Sequence, residues 1–155
     1  MPKTLLSLII LLYCTRQTAY SQTNTSAEDS TQVLQSLNSF VDAFTRLDWN
    51  KFTSCFADDA TAFFPPSAKF PARANNKPEI LAVFKIVFEN FHKIRSSPPY
   101  LTIDPIDLKI QVFGSVSIVT FLLNDPGLLG RRTIIFKKDS GKWLIVHLHA
   151  SGVTP

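Results

Sequence analysis

A chain of 155 residues, 45% hydrophobic and 18% charged with a formal net charge of +4, suits one globular domain and is too apolar for a disordered tail. Gly 5 and Pro 10 exclude collagen-like and low-complexity chains. No repeat with a period of about 20–50 residues is visible, which sets aside solenoids and propellers.

The N-terminus reads as a targeting segment. Lys3 precedes the apolar run Leu5 to Tyr13, broken only by Ser7. That run falls short of the roughly 20 residues a membrane span needs, but it fits the apolar region of a signal peptide. Ala19 and Ser21 are small residues at the two positions a signal peptidase reads, so cleavage is expected after Ser21. Cys14 follows Tyr13, where a lipoprotein signal wants a small residue, and a lipid anchor is rejected. The expected organisation is a signal peptide over 1–21, a flexible stretch over 22–27 with an Asn24-Thr25-Ser26 sequon, and one domain over 28–155. Its expected destination is secreted or periplasmic, with no membrane association after cleavage.

Removing the signal takes Lys3 and Arg16 with it, so the basic balance is partly a targeting effect and no nucleic-acid partner is expected. Arg131-Arg132 and Lys137-Lys138 are short pairs of the kind found on solvated strand faces and edges. One cysteine remains, Cys55, which leaves no internal disulfide. Its apolar neighbours Phe52 and Phe56 point to a buried, inert thiol.

In chain order, Ser26-Ala27-Glu28-Asp29 has the form of a capping box at a helix start. Val33, Leu34, Leu37, Phe40, Val41, Phe44 and Leu47 then recur at helical spacing and form one apolar stripe. Asp48 caps a short second helix that carries Trp49, Phe52 and Phe56 on one side. Asp58-Asp59 breaks it, Ala60 to Phe64 reads as a brief strand, and residues 65–77 form a loop. Pro78 suits the first turn of a third helix, whose apolar face, Ile80 to Phe91, is unusually wide. Ser96 to Pro99 ends it.

The rest is β-rich. Ile106, Leu108, Ile110 and Val112 alternate with polar residues, while Val116 to Leu123 is apolar on both faces, as in a central strand. Turns at 124–127 and 139–141 delimit strands over Arg132–Lys138 and Trp143–Ser151. Helices followed by an antiparallel meander predict an α+β fold.

Two segments carry a resemblance. Phe40 to Asp48, running into Phe56 to Thr61, resembles the start of the nuclear transport factor 2-like superfamily, which includes ketosteroid isomerase and SnoaL-like proteins. Gly141 to Gly152, with Trp143, His147 and His149, is similar to the closing strand of SnoaL-like domains and to the association domain of calcium/calmodulin-dependent protein kinase II. The resemblance implies a cone, in which a curled antiparallel sheet wraps around the N-terminal helices and a pocket opens at one end. It also implies where isomerase chemistry would sit. The family's carboxylate base falls on Phe64 and its helix-one tyrosine on Phe40, and neither phenylalanine moves a proton or donates to an oxyanion. Steroid isomerisation by that mechanism is excluded, and the pocket becomes more apolar.

The expected ligand-binding residues are therefore Phe40, Phe64, Trp143, Arg132, His147 and His149. Regular alternation puts Trp143, Ile145, His147, His149 and Ser151 on one face of the last strand, which lines either the cone or an interface between subunits. A histidine there suits hydrogen bonding, ligand contact or proton transfer. Arg132 clamps an anion if its face points inward and is an edge charge if it points outward. Asp42 is a weak candidate for a pocket acid and Tyr100 for a hydroxyl at the mouth. Asp58 and Asp59 read as turn residues. His-x-His wants a third ligand to make a metal site, and His92 has no evident route to it, so no metal and no other cofactor is expected. The expected partners are a small, largely apolar ligand and a second copy in a homodimer. The alternative is a non-enzymatic, self-associating interaction module.

Overall fold

The computed structural model describes residues 26–65, 67, 69–125 and 128–153. The expected signal peptide, its expected cleavage site and the sequon residues Asn24 and Thr25 lie outside them.

Helix α1 covers residues 26–46. Ser26 is already helical, so it does not act as the expected cap. Asp29 instead accepts an ion-pair hydrogen bond from Lys138 at 2.7 Å. α1 ends in a Schellman arrangement. Asp48 N–H donates to the Ala43 carbonyl, Leu47 N–H to that of Phe44, and Leu47 takes φ 54°. Glycine is the usual residue there, and here leucine compensates for the backbone cost by being buried.

Asp48 then caps α2 (Trp49–Ser54), accepting from Lys51 N–H at 3.0 Å. Phe56 and Asp58-Asp59 do not belong to a helix and its turn, as the sequence suggests, but to strand β1 (Phe56–Phe63). The reason is tertiary: β1 lies parallel to the last strand and starts where that strand becomes available. The loop after it contributes the two-residue edge strand β2 (Arg73–Ala74).

Helix α3 (Lys77–Ile94) has a reciprocal cap. Asn76 Oδ1 accepts from Glu79 N–H at 3.0 Å, while Glu79 accepts from Asn75 N–H at 2.8 Å and from the Asn76 amide at 2.9 Å. β3 (Ile106–Phe113), β4 (Val116–Asp125), β5 (Leu128–Asp139) and β6 (Lys142–Val153) make the expected antiparallel meander, with β5 starting four residues before Arg132. The sheet is open, in the order β2-β1-β6-β5-β4-β3, and β1–β6 is its one parallel pair.

Helices pack on one face of this sheet around an aromatic centre. Phe52 is fully buried, with the rings of Phe84, Phe88, Phe56, Phe40 and Phe44 at 4.7–5.6 Å from it. These offset and tilted geometries contribute beyond simple burial. The core continues through Val119, Ile134, Phe136 and Ile145 on the inner face of the sheet.

β6 carries the feature that decides the site. Phe136 pairs with Ile145 and the next residue back, Ile135, pairs with His147, so Val146 is an extra residue on β6. Such a bulge inverts the side-chain parity beyond it. Before the bulge Trp143 and Ile145 are buried, and after it Leu148 and Ala150 are. The expectation that Trp143, Ile145, His147 and His149 share one face is therefore corrected.

Candidate functional site

Between α1, α3 and the inner face of β4, β5 and β6 lies a cavity of about 410 Å³. Phe40, Val41 and Phe44 line it from α1, and Val83, Phe84, Val87 and Phe91 from α3. The wide apolar face of α3 thus covers both the core and this space. Phe121 and Leu123 of β4, Ile134 of β5, and Leu148 and Ala150 of β6 form the opposite wall. Phe64, Pro65 and Phe70 close one side, and Leu101, Thr102 and Ile103 another.

Arg132 is the one ionisable side chain among the described lining residues. Its neighbours across the sheet are Phe121 and Ala150, both buried, which establishes that its face points inward. Its Nη1 donates to the Arg131 carbonyl at 2.9 Å and to the Ser151 carbonyl at 3.1 Å. Gly130, two residues back on the same face, makes room for it. A Cβ there would stand 3.1 and 3.4 Å from the two guanidinium Nη atoms. Arg131, one residue away, faces solvent.

The structure brings together Phe40, Phe64 and Arg132 and leaves the other three expected residues elsewhere. Trp143 is buried at the opposite end of the core, where the Lys138 ammonium lies 5.7 Å from its ring centroid. Lys138, read from sequence as part of a solvated pair, points inward to make that contact. His147 and His149 lie on the outer face because of the bulge. His147 Nδ1 shares a hydrogen bond with Thr61 Oγ1 at 2.8 Å, and the Phe63 ring stands edge-on to both imidazoles at 5.5 and 5.9 Å. Partial burial, then the neighbouring His149 and Arg73, hold the His147 imidazole below the ordinary histidine range.

Asp42 does not line this cavity. It is half-buried on α1 and pairs with Arg46 and Lys51 at 2.8 Å each, the bond to Lys51 leading in holding its carboxyl below the usual range. His92 and Tyr100 meet edge to face, with ring centroids 4.6 Å apart, rather than lining the cavity. No group of three metal-ligating side chains occurs among the described residues. Burial pushes the Cys55 thiol up to about 11, and Sγ–H donates to the Lys51 carbonyl, so the inert reading fits. Sequence reasoning missed Phe70, Leu101 and Ile103. Their one signal is large apolar side chains in stretches with no strand or helix pattern.

A SnoaL-like domain model matches residues 33–155. The chain belongs to the SnoaL-like family. This SnoaL-like domain is similar in fold to a nuclear transport factor 2-like family member from Streptomyces avermitilis. The identity is 22% over 83% of this chain and 99% of that one, with a TM-score of 0.69. A nuclear transport factor 2-like protein from Pseudomonas putida is 18% identical over 81% and 87%, with a TM-score of 0.67. The hub of calcium/calmodulin-dependent protein kinase II from S. rosetta is 25% identical over 80% and 96%, with a TM-score of 0.56. No curated protein matches this SnoaL-like domain.

Proposed function

We propose that this is an exported SnoaL-like domain whose cavity takes up a small, largely apolar ligand, oriented by Arg132. The observation that carries the reading is the cavity itself. At about 410 Å³ it lies within the range of roughly 300–1,000 Å³ typical of small-molecule sites, and its wall is aromatic and aliphatic. General acid–base chemistry needs a group of suitable pKa within hydrogen-bond reach of the substrate. Among the described lining residues there is no carboxylate, imidazole, thiol or phenol. Thr102 and Arg132 are the polar members, suited to orienting a ligand rather than moving its protons.

Native mass spectrometry of protein purified from its host, beside a Leu123→Trp variant, tests this. A stoichiometric organic adduct on the wild type, lost when tryptophan fills the cavity, supports the reading. Empty wild-type subunits, or an adduct indifferent to Leu123→Trp, overturn it. N-terminal sequencing of the exported chain tests the leader, with Gln22 the expected first residue.

Self-association is a second reading, supported by the sheet edge. β3 has no neighbour on its outer side among the described strands and exposes Ile106, Leu108 and Phe113. Such an edge is a template for a second copy. A dimer in sedimentation velocity that Leu108→Lys dissolves supports it, and a monomer at high concentration removes it.

A further inference from the structure

The strap over residues 95–105, which joins α3 to β3, is held unevenly. Its first half is tied to the helices. Arg95 N–H donates to the Phe91 carbonyl at 3.1 Å, and Arg95 Nη1 to that of Pro99 at 3.0 Å. Tyr100 N–H donates to the Thr45 carbonyl at 2.9 Å, and its ring stands against the His92 imidazole. The second half has no such ties. Outside the sheet, residues 101–105 share no hydrogen bond with any described residue. Leu101 and Ile103 are half-buried against the cavity, whereas Thr102 and Asp104 are exposed. Displacing this segment therefore gives up side-chain contacts but no backbone hydrogen bond, the mark of a segment that opens locally.

Both ends of the second half are built as pivots. Upstream stands the Tyr100 contact. Downstream, Ile106 pairs with Leu122 and Lys109 with Thr120, so Asp107 and Leu108 oppose Phe121 alone. Asp107 takes φ 52° in that bulge, a left-handed conformation that costs an L residue energy. Bulges interrupt the ladder and let a strand bend at that point.

The cavity opens beside this segment. Among the described lining residues, Pro65 and Thr102 are the two exposed ones, which puts the mouth between the β1–β2 loop and the strap. The other lip is fixed at Phe64. Its N–H donates to the Ala72 carbonyl at 3.0 Å, and its ring meets that of Phe84 edge-on at 5.9 Å.

We propose that residues 101–106 form a gate over the cavity, lifting between a latch at Tyr100 and a hinge at Asp107 to admit the ligand. The gate rests on the reading of the cavity as a ligand site. When closed, Leu101 and Ile103 complete the apolar wall. Gating of this kind sets the rates of entry and exit together and leaves affinity alone while the closed form predominates. His92 and Tyr100 are positioning residues, since neither lines the cavity. Weakening their contact changes the gate without changing what the ligand touches.

Stopped-flow fluorescence of N-phenyl-1-naphthylamine, a neutral apolar probe that brightens out of water, reads this out with the mature protein. Leu123→Trp, which fills the cavity, abolishes uptake and so locates the probe. His92→Ala is expected to raise the association and dissociation rates together several-fold, with Kd held within about twofold. Tyr100→Ala gives the same signature if His92→Ala does not fold. Ile106→Cys with Leu122→Cys, oxidised across the strand pair, pins the hinge end and slows both rates, and dithiothreitol restores them. Rates indifferent to the latch variants, with Leu123→Trp still blocking uptake, overturn the gate and leave the ligand site standing. So does a change in Kd at an unchanged association rate. A wild type that takes up no probe overturns the ligand reading and the gate with it.

Discussion

On the inner face of the sheet, Val119, Ile134 and Ile145 are buried against α1 and α3, and the aromatic centre around Phe52 lies beneath them. On the outer face of the same strands, Thr120, Ile135 and His147 are half-buried, and Phe63 is 43% exposed. The inner face acts through shape, since rings and branched side chains interlock around the cavity that Arg132 lines. The outer face is polar and mixed in charge, with Arg131 exposed on β5 and Lys137 sharing a surface hollow with Asp58, Asp59 and Asp139. Two neighbours on one strand, Arg131 and Arg132, thus have different surroundings: one faces solvent and the other lines an apolar cavity.

Paired phenylalanine truncations give the largest contrast. Phe52→Ala is expected to cost about 3–5 kcal/mol in urea denaturation, because it empties a site ringed by other aromatics. Phe63→Ala should stay within about 0.5 kcal/mol. Comparable losses would break the distinction between the faces. Next comes Asp29→Ala, which leaves the partly buried Lys138 ammonium beside Trp143 without its carboxylate. A loss of about 1–2 kcal/mol is expected, tempered because the lysine still reaches water.

pH dependence sharpens the contrast. His147 has a lower pKa folded than unfolded, so the unfolded chain binds its proton first. Its contribution is complete above the ordinary histidine pKa and is lost as pH falls through that value toward the folded one. His147→Asn should flatten that acid limb in pH-dependent melts. Cys55 works in the opposite direction. Its thiol, raised from 9.0 to about 11, makes stability decline as pH climbs between those values, and Cys55→Ala should remove that slope. The smallest expected effect is that of Gly130→Ala. The added methyl meets the mobile end of Arg132, so stability should change by less than about 0.5 kcal/mol while the bound adduct changes in amount or identity.

The helices were legible because their periodicity is local. The α1 stripe holds at Val33, Leu37, Phe40 and Leu47, and the α3 stripe at Ile80, Val83, Phe84 and Phe88, although Leu34 is exposed. The turn at Ser140-Gly141 and the strand over Val116 to Leu123 were legible for the same reason, whereas Asn124 and Asp125, expected in a turn, continue β4. Resemblance brought Phe40 and Phe64 to one cavity, where the structure places them. Asp58-Asp59 misled because two acids in succession suit a turn, and only the parallel pairing of β1 with β6 makes them strand residues.

The sequence by itself therefore determined the α+β class, the helix faces and an apolar interior, since each follows from residue type and short-range spacing. Tertiary structure alone decided which side of the last strand reaches that interior. A single extra residue, Val146, is invisible to alternation until β5 supplies the register. It sends Leu148 and Ala150 into the cavity and His147 and His149 out to the surface. Arg132 depended on the same information. An arginine in a strand has no intrinsic face, and its direction was settled by Phe121 and Ala150 lying beside it.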